Sequence, residues 1–250
     1  VKNIINRMPK ASWTQPYMSS VQGITIHYAA GNDVAPQYQT ENQLIAILQS
    51  YARYHIANIP NDSLAYTFVV DKWGNQYQTR AIRQSYHTGN VWGNNHTLGI
   101  LCPLGSYEEP TTEQVTSLFQ LVGALRTEYG IPANSVVGHK ELSNTPCPGK
   151  LMSYVIEYRN GTYKPVQPSE PEEDKDFKPG WYRVIHNGKA TIREGASTDS
   201  RVILTLPSDH KEYIHAKVTG QMVAGSDIWY QTLSDYGKGY IHSSGIYRDE

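Results

Sequence analysis

Cysteine occurs only twice in the 250 residues, as Cys102 and Cys147. Two are too few for a disulfide framework, so the redox compartment stays open, and each thiol is an inert filler, a metal ligand or half of a single disulfide. Long apolar runs are missing as well: no stretch approaches the ~20 residues that a membrane span requires. The opening decapeptide, V-K-N-I-I-N-R-M-P-K, contains no apolar signal core. Charge is sparse, at 18% of residues, and nearly balanced, with a net charge of −1. Without a basic surplus, neither nucleic acid nor an anionic membrane surface is an expected partner. Phenylalanine is scarce (3) where tyrosine is abundant (19). Tyrosine joins a flat apolar face to a polar tip, which suits contact with sugars or peptides and equally suits small β-rich domains.

A chain of this length can bury one sizeable core and carry a second, smaller module. The composition changes at residues 161–179, where four prolines and five acidic residues read as an extended, self-repelling linker. Ahead of it, residues 1–20 read as loop and 21–30 as a buried strand. Thr40 with Gln43 predicts a capping box, followed by Leu44, Leu48, Tyr51 and His55 at helical spacing. Residues 64–71 and 76–81, joined by K-W-G-N, predict a β-hairpin. Residues 86–95 read as a Gly- and Asn-rich loop, and 97–104 as an apolar strand. A helix opens near Thr111 and Thr112, carries Val115, Leu118, Leu121, Val122 and Leu125, and stops at Gly130. A strand delivering His139 and a short helix over 150–158 complete an α/β domain. Beyond the linker, residues 180–250 hold short alternating runs separated by turn residues, which predict a small β-barrel or sandwich.

The chemistry concentrates in residues 135–149, S-V-V-G-H-K-E-L-S-N-T-P-C-P-G. A short apolar run delivers His139, a polar turn follows, and Cys147 stands between two prolines. Imidazole and thiolate are both zinc ligands, and a rigid Pro-Cys-Pro-Gly turn fixes the direction of the sulfur. His27, near the end of G-I-T-I-H-Y-A-A, supplies a third ligand. Two histidines and a cysteine, with a fourth position left to water, describe a catalytic zinc. The same site would be abolished by a disulfide between Cys147 and Cys102.

With these residues in place, roughly residues 10–158 resemble the type 2 N-acetylmuramoyl-L-alanine amidases, a group that includes phage endolysins and the peptidoglycan recognition proteins. The resemblance rests on I-T-I-H-Y-A-A, A-Y-T-F-V-V-D-K-W-G-N, H-T-G-N with N-N-H-T-L-G-I, and most specifically G-H-K-E-L-S-N-T-P-C-P-G. The tail is similar to bacterial SH3-like domains through T-I-R-E-G-A-S-T-D-S, W-Y-Q-T and G-Y-I-H-S. This implies a mixed central β-sheet flanked by helices over residues 1–160, the linker 161–179, and a small all-β SH3-like barrel that binds cell wall over 180–250. The implied reaction is hydrolysis of the amide joining the lactyl group of N-acetylmuramic acid to the L-alanine of the peptidoglycan stem peptide, with Zn2+ as cofactor and wall lysis as the outcome.

By the same resemblance, Tyr66 matches an active-site tyrosine whose phenol donates to the water or the oxyanion. Thr145 matches a position where relatives carry Lys or Thr near the metal. His87 and Trp92 are candidates for substrate contact, Trp92 with a loop-anchor role as its alternative. Where many relatives carry a glutamate base, this chain has Leu101, which brings it nearer the branch relying on tyrosine with Lys or Thr. Bacterial peptidoglycan is the implied partner, and the chain is expected to act as a monomer. It would work on the bacterial cell wall, either as a phage product released from host cytoplasm through a holin or as a secreted autolysin. Two other readings stay open: a non-catalytic peptidoglycan-binding protein, and a zinc peptidase cutting elsewhere in the stem peptide. Binding-only relatives typically lose the cysteine, and Cys147 is present. Glu141 is expected to hold loop backbone and His55 to be structural. Trp181, Trp229 and Tyr240 are expected in the core of the tail barrel.

Overall fold

Residues 1–20, expected as loop, open instead with a short strand, β1 (Lys2–Asn3), and a 3-10 turn at Ile5–Arg7. The computed structural model of the chain describes residues 1–31, 33–164, 173–198, 200–223, 225–234 and 237–249. β2 (Gly23–Tyr28) is buried along its whole length. α1 (Glu41–Asn58) begins where expected, with Thr40 accepting from the Gln43 N–H. The reciprocal half of the capping box differs: the Gln43 side chain accepts from Gln39 N–H (2.6 Å), not from Thr40.

β3 (Phe68–Val70) and β4 (Gln76–Gln78) form the expected antiparallel hairpin, but both are shorter than predicted. The Asp71 carboxylate pins the turn, accepting from Trp73 N–H (3.0 Å), Asn75 N–H (2.8 Å) and Tyr77 hydroxyl (2.9 Å). Residues 64–66 stay outside the strand because side chains take their carbonyls. Arg80 donates to Leu64 O (2.8 Å), Ser85 to Ala65 O (2.7 Å) and Thr79 to Tyr66 O (2.6 Å).

The Gly- and Asn-rich segment holds a short helix, α2 (Val91–His96), capped by the Asn90 side chain. β5 (Thr97–Cys102) follows, then α3 (Thr112–Tyr129), capped by Thr111 and ended by Gly130 at φ +66. β6 (Val136–Gly138) and α4 (Leu151–Arg159) complete this part. The six strands lie in the order β1-β4-β3-β5-β2-β6, with β3, β5, β2 and β6 mutually parallel.

Alternation along these strands builds two cores. Ile24, Ile26, Leu98, Ile100, Phe68 and Val70 meet α3 and α4 on one face. Val69, Tyr77 and Leu101 meet Leu44, Ile45, Leu48 and Ala52 of α1 on the other. Ile24, Ile26, Leu98 and Ile100 are fully buried. Their burial contributes on the order of 10 kcal/mol against the chain entropy of folding.

The chain divides into two compact units, Val1–Pro168 and Ser169–Glu250. Residues 165–172, the middle of the expected linker, lie outside the described residues. Its flanks are tied down: Tyr163 packs on Phe119 with ring centroids 4.7 Å apart, and Asp174 pairs with Lys217 at 2.5 Å. The second unit comprises β7 (Gly180–Val184), β8 (Ala190–Arg193), β9 (Val202–Leu206), β10 (Lys211–Val223), β11 (Ser226–Ser234), β12 (Gly237–His242) and β13 (Ile246–Arg248). They make one antiparallel sheet in the order β13-β7-β10-β11-β12-β8-β9. Trp229 and Tyr240 are core residues, as expected. Trp181 is not: it is 54% exposed, because Tyr182 and Val184 take the inward face of β7.

Candidate metal centre and active site

β2 and β6 are parallel neighbours in register through the pair Ile26 and Gly138. His27 and His139 each follow that pair, so both emerge at the carboxyl edge of the sheet, the edge at which open α/β sheets bind ligands. Their ring centroids are 4.7 Å apart. His139 is not a strand residue as expected but opens a 3-10 turn, His139–Glu141. The Glu141 carboxylate accepts from Gly138 N–H (2.8 Å), the backbone-holding role expected of it.

The turn then folds back, with Lys140 N–H donating to Cys147 O at 2.6 Å, and delivers Cys147 beside the histidines. Gly138 makes room for it, since a Cβ there would lie 2.8 Å from Pro148 Cδ. Cys147 Sγ stands 3.7 Å from His27 Nδ1 and accepts from Tyr28 N–H at 3.4 Å. Ligand atoms of His27, His139 and Cys147 all lie within 4.8 Å of one another. Tetrahedral zinc, with bonds of ~2.0 Å to nitrogen and ~2.3 Å to sulfur, would hold N and S about 3.6 Å apart. The donor set and its spacing therefore fit zinc. Both cysteines are free and buried, so no disulfide competes for the sulfur.

The protonation states suit a metal site. Burial, then the nearby His87 and His139, hold the His27 imidazole neutral. Burial also lowers His139, against an opposing bond to Thr88 O. Burial pushes the Cys147 thiol up to about 12, so it needs a cation partner to ionise at neutral pH. Tyr66 sits with its ring 5.0 Å from that of His27, and burial raises its phenol above the usual range. His55, on α1, supports it from behind: its Nδ1 accepts from Ala65 N–H at 3.1 Å, and its ring meets Tyr66 at 5.8 Å. Thr145 Oγ accepts from Cys147 N–H at 3.2 Å, which leaves its hydroxyl hydrogen free to donate.

The two residues expected to contact substrate both make protein contacts. Trp92 donates its indole N–H to Gln22 (3.1 Å) and packs on Gly23. That is the start of β2, about 13 Å along the strand from His27. It anchors α2 and takes no part in the cluster. His87 is buried beneath His27, with His87 Nδ1 2.9 Å from His27 Nε2. Beside His27 on β5 stands Leu101, fully buried among the leucines of α1, so that strand offers no carboxylate. Asn94, whose side chain holds the His87 loop, was not singled out from sequence. A lone asparagine in a Gly- and Asn-rich segment carries no signal separating a clamp from a turn.

The sequence model of the N-acetylmuramoyl-L-alanine amidase family matches residues 17–150, more than half of the chain. The chain belongs to the N-acetylmuramoyl-L-alanine amidase family. Among curated relatives, this amidase is 28% identical over 142 residues to peptidoglycan-recognition protein SC1a of Drosophila melanogaster, covering 56% of this chain and 74% of that protein. It is 32% identical over 141 residues to the N-acetylmuramoyl-L-alanine amidase CwlH of Bacillus subtilis, covering 52% of this chain and 54% of that protein. Drosophila PGRP-LB shares the fold with a TM-score of 0.53 at 16% identity, over 67% of this chain and 98% of that one.

Proposed function

We propose that this amidase is a zinc enzyme hydrolysing the amide between the lactyl group of N-acetylmuramic acid and the L-alanine of the stem peptide. His27, His139 and Cys147 are the metal ligands in this reading, with Tyr66 and Thr145 as hydrogen-bond donors to the reacting groups. The convergence of two imidazoles and one sulfur within 4.8 Å at the carboxyl edge of the sheet carries it. Zinc held there would supply a Lewis acid and lower the pKa of a water from ~15.7 toward ~7.

The protein groups do the rest. Tyr66, kept protonated by burial, donates to the oxyanion that develops on the scissile carbonyl. Thr145 has a hydrogen to give to the same region. With Leu101 beside His27, no acid on that strand takes a proton, and the departing amine is protonated through water. The test is metal analysis of the purified protein before and after chelation, with mass spectrometry of digested wall. Free stem peptides beginning with alanine, uncut glycan strands and loss of lysis on chelation are expected. New amino groups inside the stem peptide would overturn the assignment.

We further read residues 1–160 as the catalytic domain, 161–179 as a linker and 180–250 as an SH3-like module that binds cell wall. Tethering raises the effective substrate concentration for the catalytic part. An aromatic face supports this: Trp181 and Tyr213 are cross-strand partners with rings 5.3 Å apart, both exposed, as is Tyr247 on β13. Trp181→Ala is expected to weaken co-sedimentation with wall while turnover of a soluble muropeptide stays unchanged. Unchanged sedimentation would remove that face from consideration.

A further inference from the structure

A chain of hydrogen bonds runs inward from His27 and ends on a backbone carbonyl. His27 Nε2 is 2.9 Å from His87 Nδ1. His87 Nε2 is 3.5 Å from Thr97 Oγ1, and Thr97 Oγ1 donates to Gly93 O at 2.8 Å. A carbonyl oxygen only accepts, which sets the polarity of the links, and the His87 ring also donates toward the Thr97 and Gly93 backbone. Thr97 spends its single hydrogen on Gly93 O, so toward His87 it can only accept. His87 must then carry its hydrogen on Nε2, which makes His87 Nδ1 an acceptor. His27 must donate from Nε2, and its remaining lone pair is on Nδ1, the atom facing Cys147 Sγ. Thr25 Oγ1, 2.7 Å from Thr97 Oγ1, fills the second lone pair as a donor.

The second ligand is treated alike. His139 Nε2 is 3.0 Å from Thr88 O, so it carries the hydrogen and frees Nδ1. His87 and Thr88 are consecutive, and one side chain fixes both: Asn94 Oδ1 accepts from His87 N–H (3.0 Å), Thr88 N–H (2.9 Å) and Thr88 Oγ1–H (2.9 Å). Bare backbone makes room for the buried imidazole, since a Cβ on Gly99 would come within 2.9 Å of His87 Nδ1.

We propose that His87 and Thr97 are positioning residues: a relay of fixed polarity, anchored at Gly93 O, that presets His27 as the Nδ1 ligand before any metal arrives, with Thr88 and Asn94 doing the same for His139. Neither side chain touches substrate. The proposal rests on the reading of His27, His139 and Cys147 as metal ligands, but the relay itself exists without the ion. A metal ligand whose second nitrogen is held in this way typically loses 10–100-fold in affinity when the outer partner is removed.

The test compares Thr97→Val, which keeps shape but cannot accept, with Thr97→Ser, which keeps the hydroxyl. Zinc affinity by chelator competition and the visible spectrum of the cobalt-substituted protein are the readouts. Thr97→Val is expected to bind zinc 10–100-fold more weakly with an altered cobalt spectrum, and Thr97→Ser to restore both. Wild-type affinity in the valine variant, or no rescue by serine, overturns the proposal. Long-range nitrogen–proton NMR of the unsubstituted protein covers the case of a variant that does not fold. His87 is expected as the Nε2–H tautomer with and without zinc, and an Nδ1–H tautomer would refute the relay. A wild-type protein with that tautomer but no zinc affinity would instead refute the metal reading.

Discussion

Tyr66→Phe separates the chemical role of the phenol from its packing. The ring contacts with His27 and His55 survive the change, at centroid distances of 5.0 and 5.8 Å. Only the hydroxyl is lost, and among the described residues it makes no protein hydrogen bond that shifts its pKa. One donor removed from a developing oxyanion costs about 2.7–4 kcal/mol, or 10²–10³ in kcat. Steady-state hydrolysis of a soluble muropeptide, with metal content measured on the same samples, is the assay. The expected outcome is a kcat lowered by 10²–10³, with KM and bound zinc little changed. A kcat within threefold of wild type refutes the donor role. A fall in zinc content parallel to kcat would mean that Tyr66 serves the metal site and not the reaction.

Cys147→Ser is expected to abolish stoichiometric zinc and wall lysis together, read by metal analysis and turbidity loss; retained lysis would rule out the metal mechanism. Arg80→Met removes the partner of buried Asp62 (2.8 Å) and the bond to Leu64 O that shapes the Tyr66 segment. Urea unfolding should show a loss of about 3–5 kcal/mol, the cost of a stranded buried charge, partly recovered by adding Asp62→Asn. A loss below ~1 kcal/mol would contradict it. Burial lowers the His55 pKa from 6.5 to about 4. As the pH falls below 6.5 the unfolded chain takes up this proton first, so stability is lost between pH 6.5 and 4 and levels off below. In chelated protein, wild type should lose up to about 3 kcal/mol more across that window than His55→Gln, whose amide can still accept from Ala65 N–H. Parallel pH curves would refute this.

The three residues that converge in the candidate metal centre were legible because each stands at a sharp change in pattern: His27 near the end of an apolar run, His139 just after another, Cys147 between prolines. The helix ends were legible for the same local reason, since Thr40, Thr111 and Gly130 act on backbone groups within a turn of themselves. Strand lengths were not. Residues 64–66 have strand composition, yet their carbonyls go to Arg80, Ser85 and Thr79, side chains from the segment that follows the other arm of the hairpin. Nor did alternation decide which face of β7 is inward. W-Y-R-V fits either choice, and the structure buries Tyr182 and Val184 rather than Trp181. His87 was noticed in the sequence, but its contact with His27 was not. Its burial depends on Gly99 and Asn94, and no spacing within the loop reveals either.

Cys147 meets His27 across 120 residues of chain. Contacts of such separation form late, after the local hairpin and helices. On the proposed mechanism, a nascent polypeptide holds no complete cutting centre until the Pro-Cys-Pro turn has been synthesised and β6 has docked beside β2. Under that mechanism, fragments that stop short of residue 147 are expected to be inert whatever else they fold.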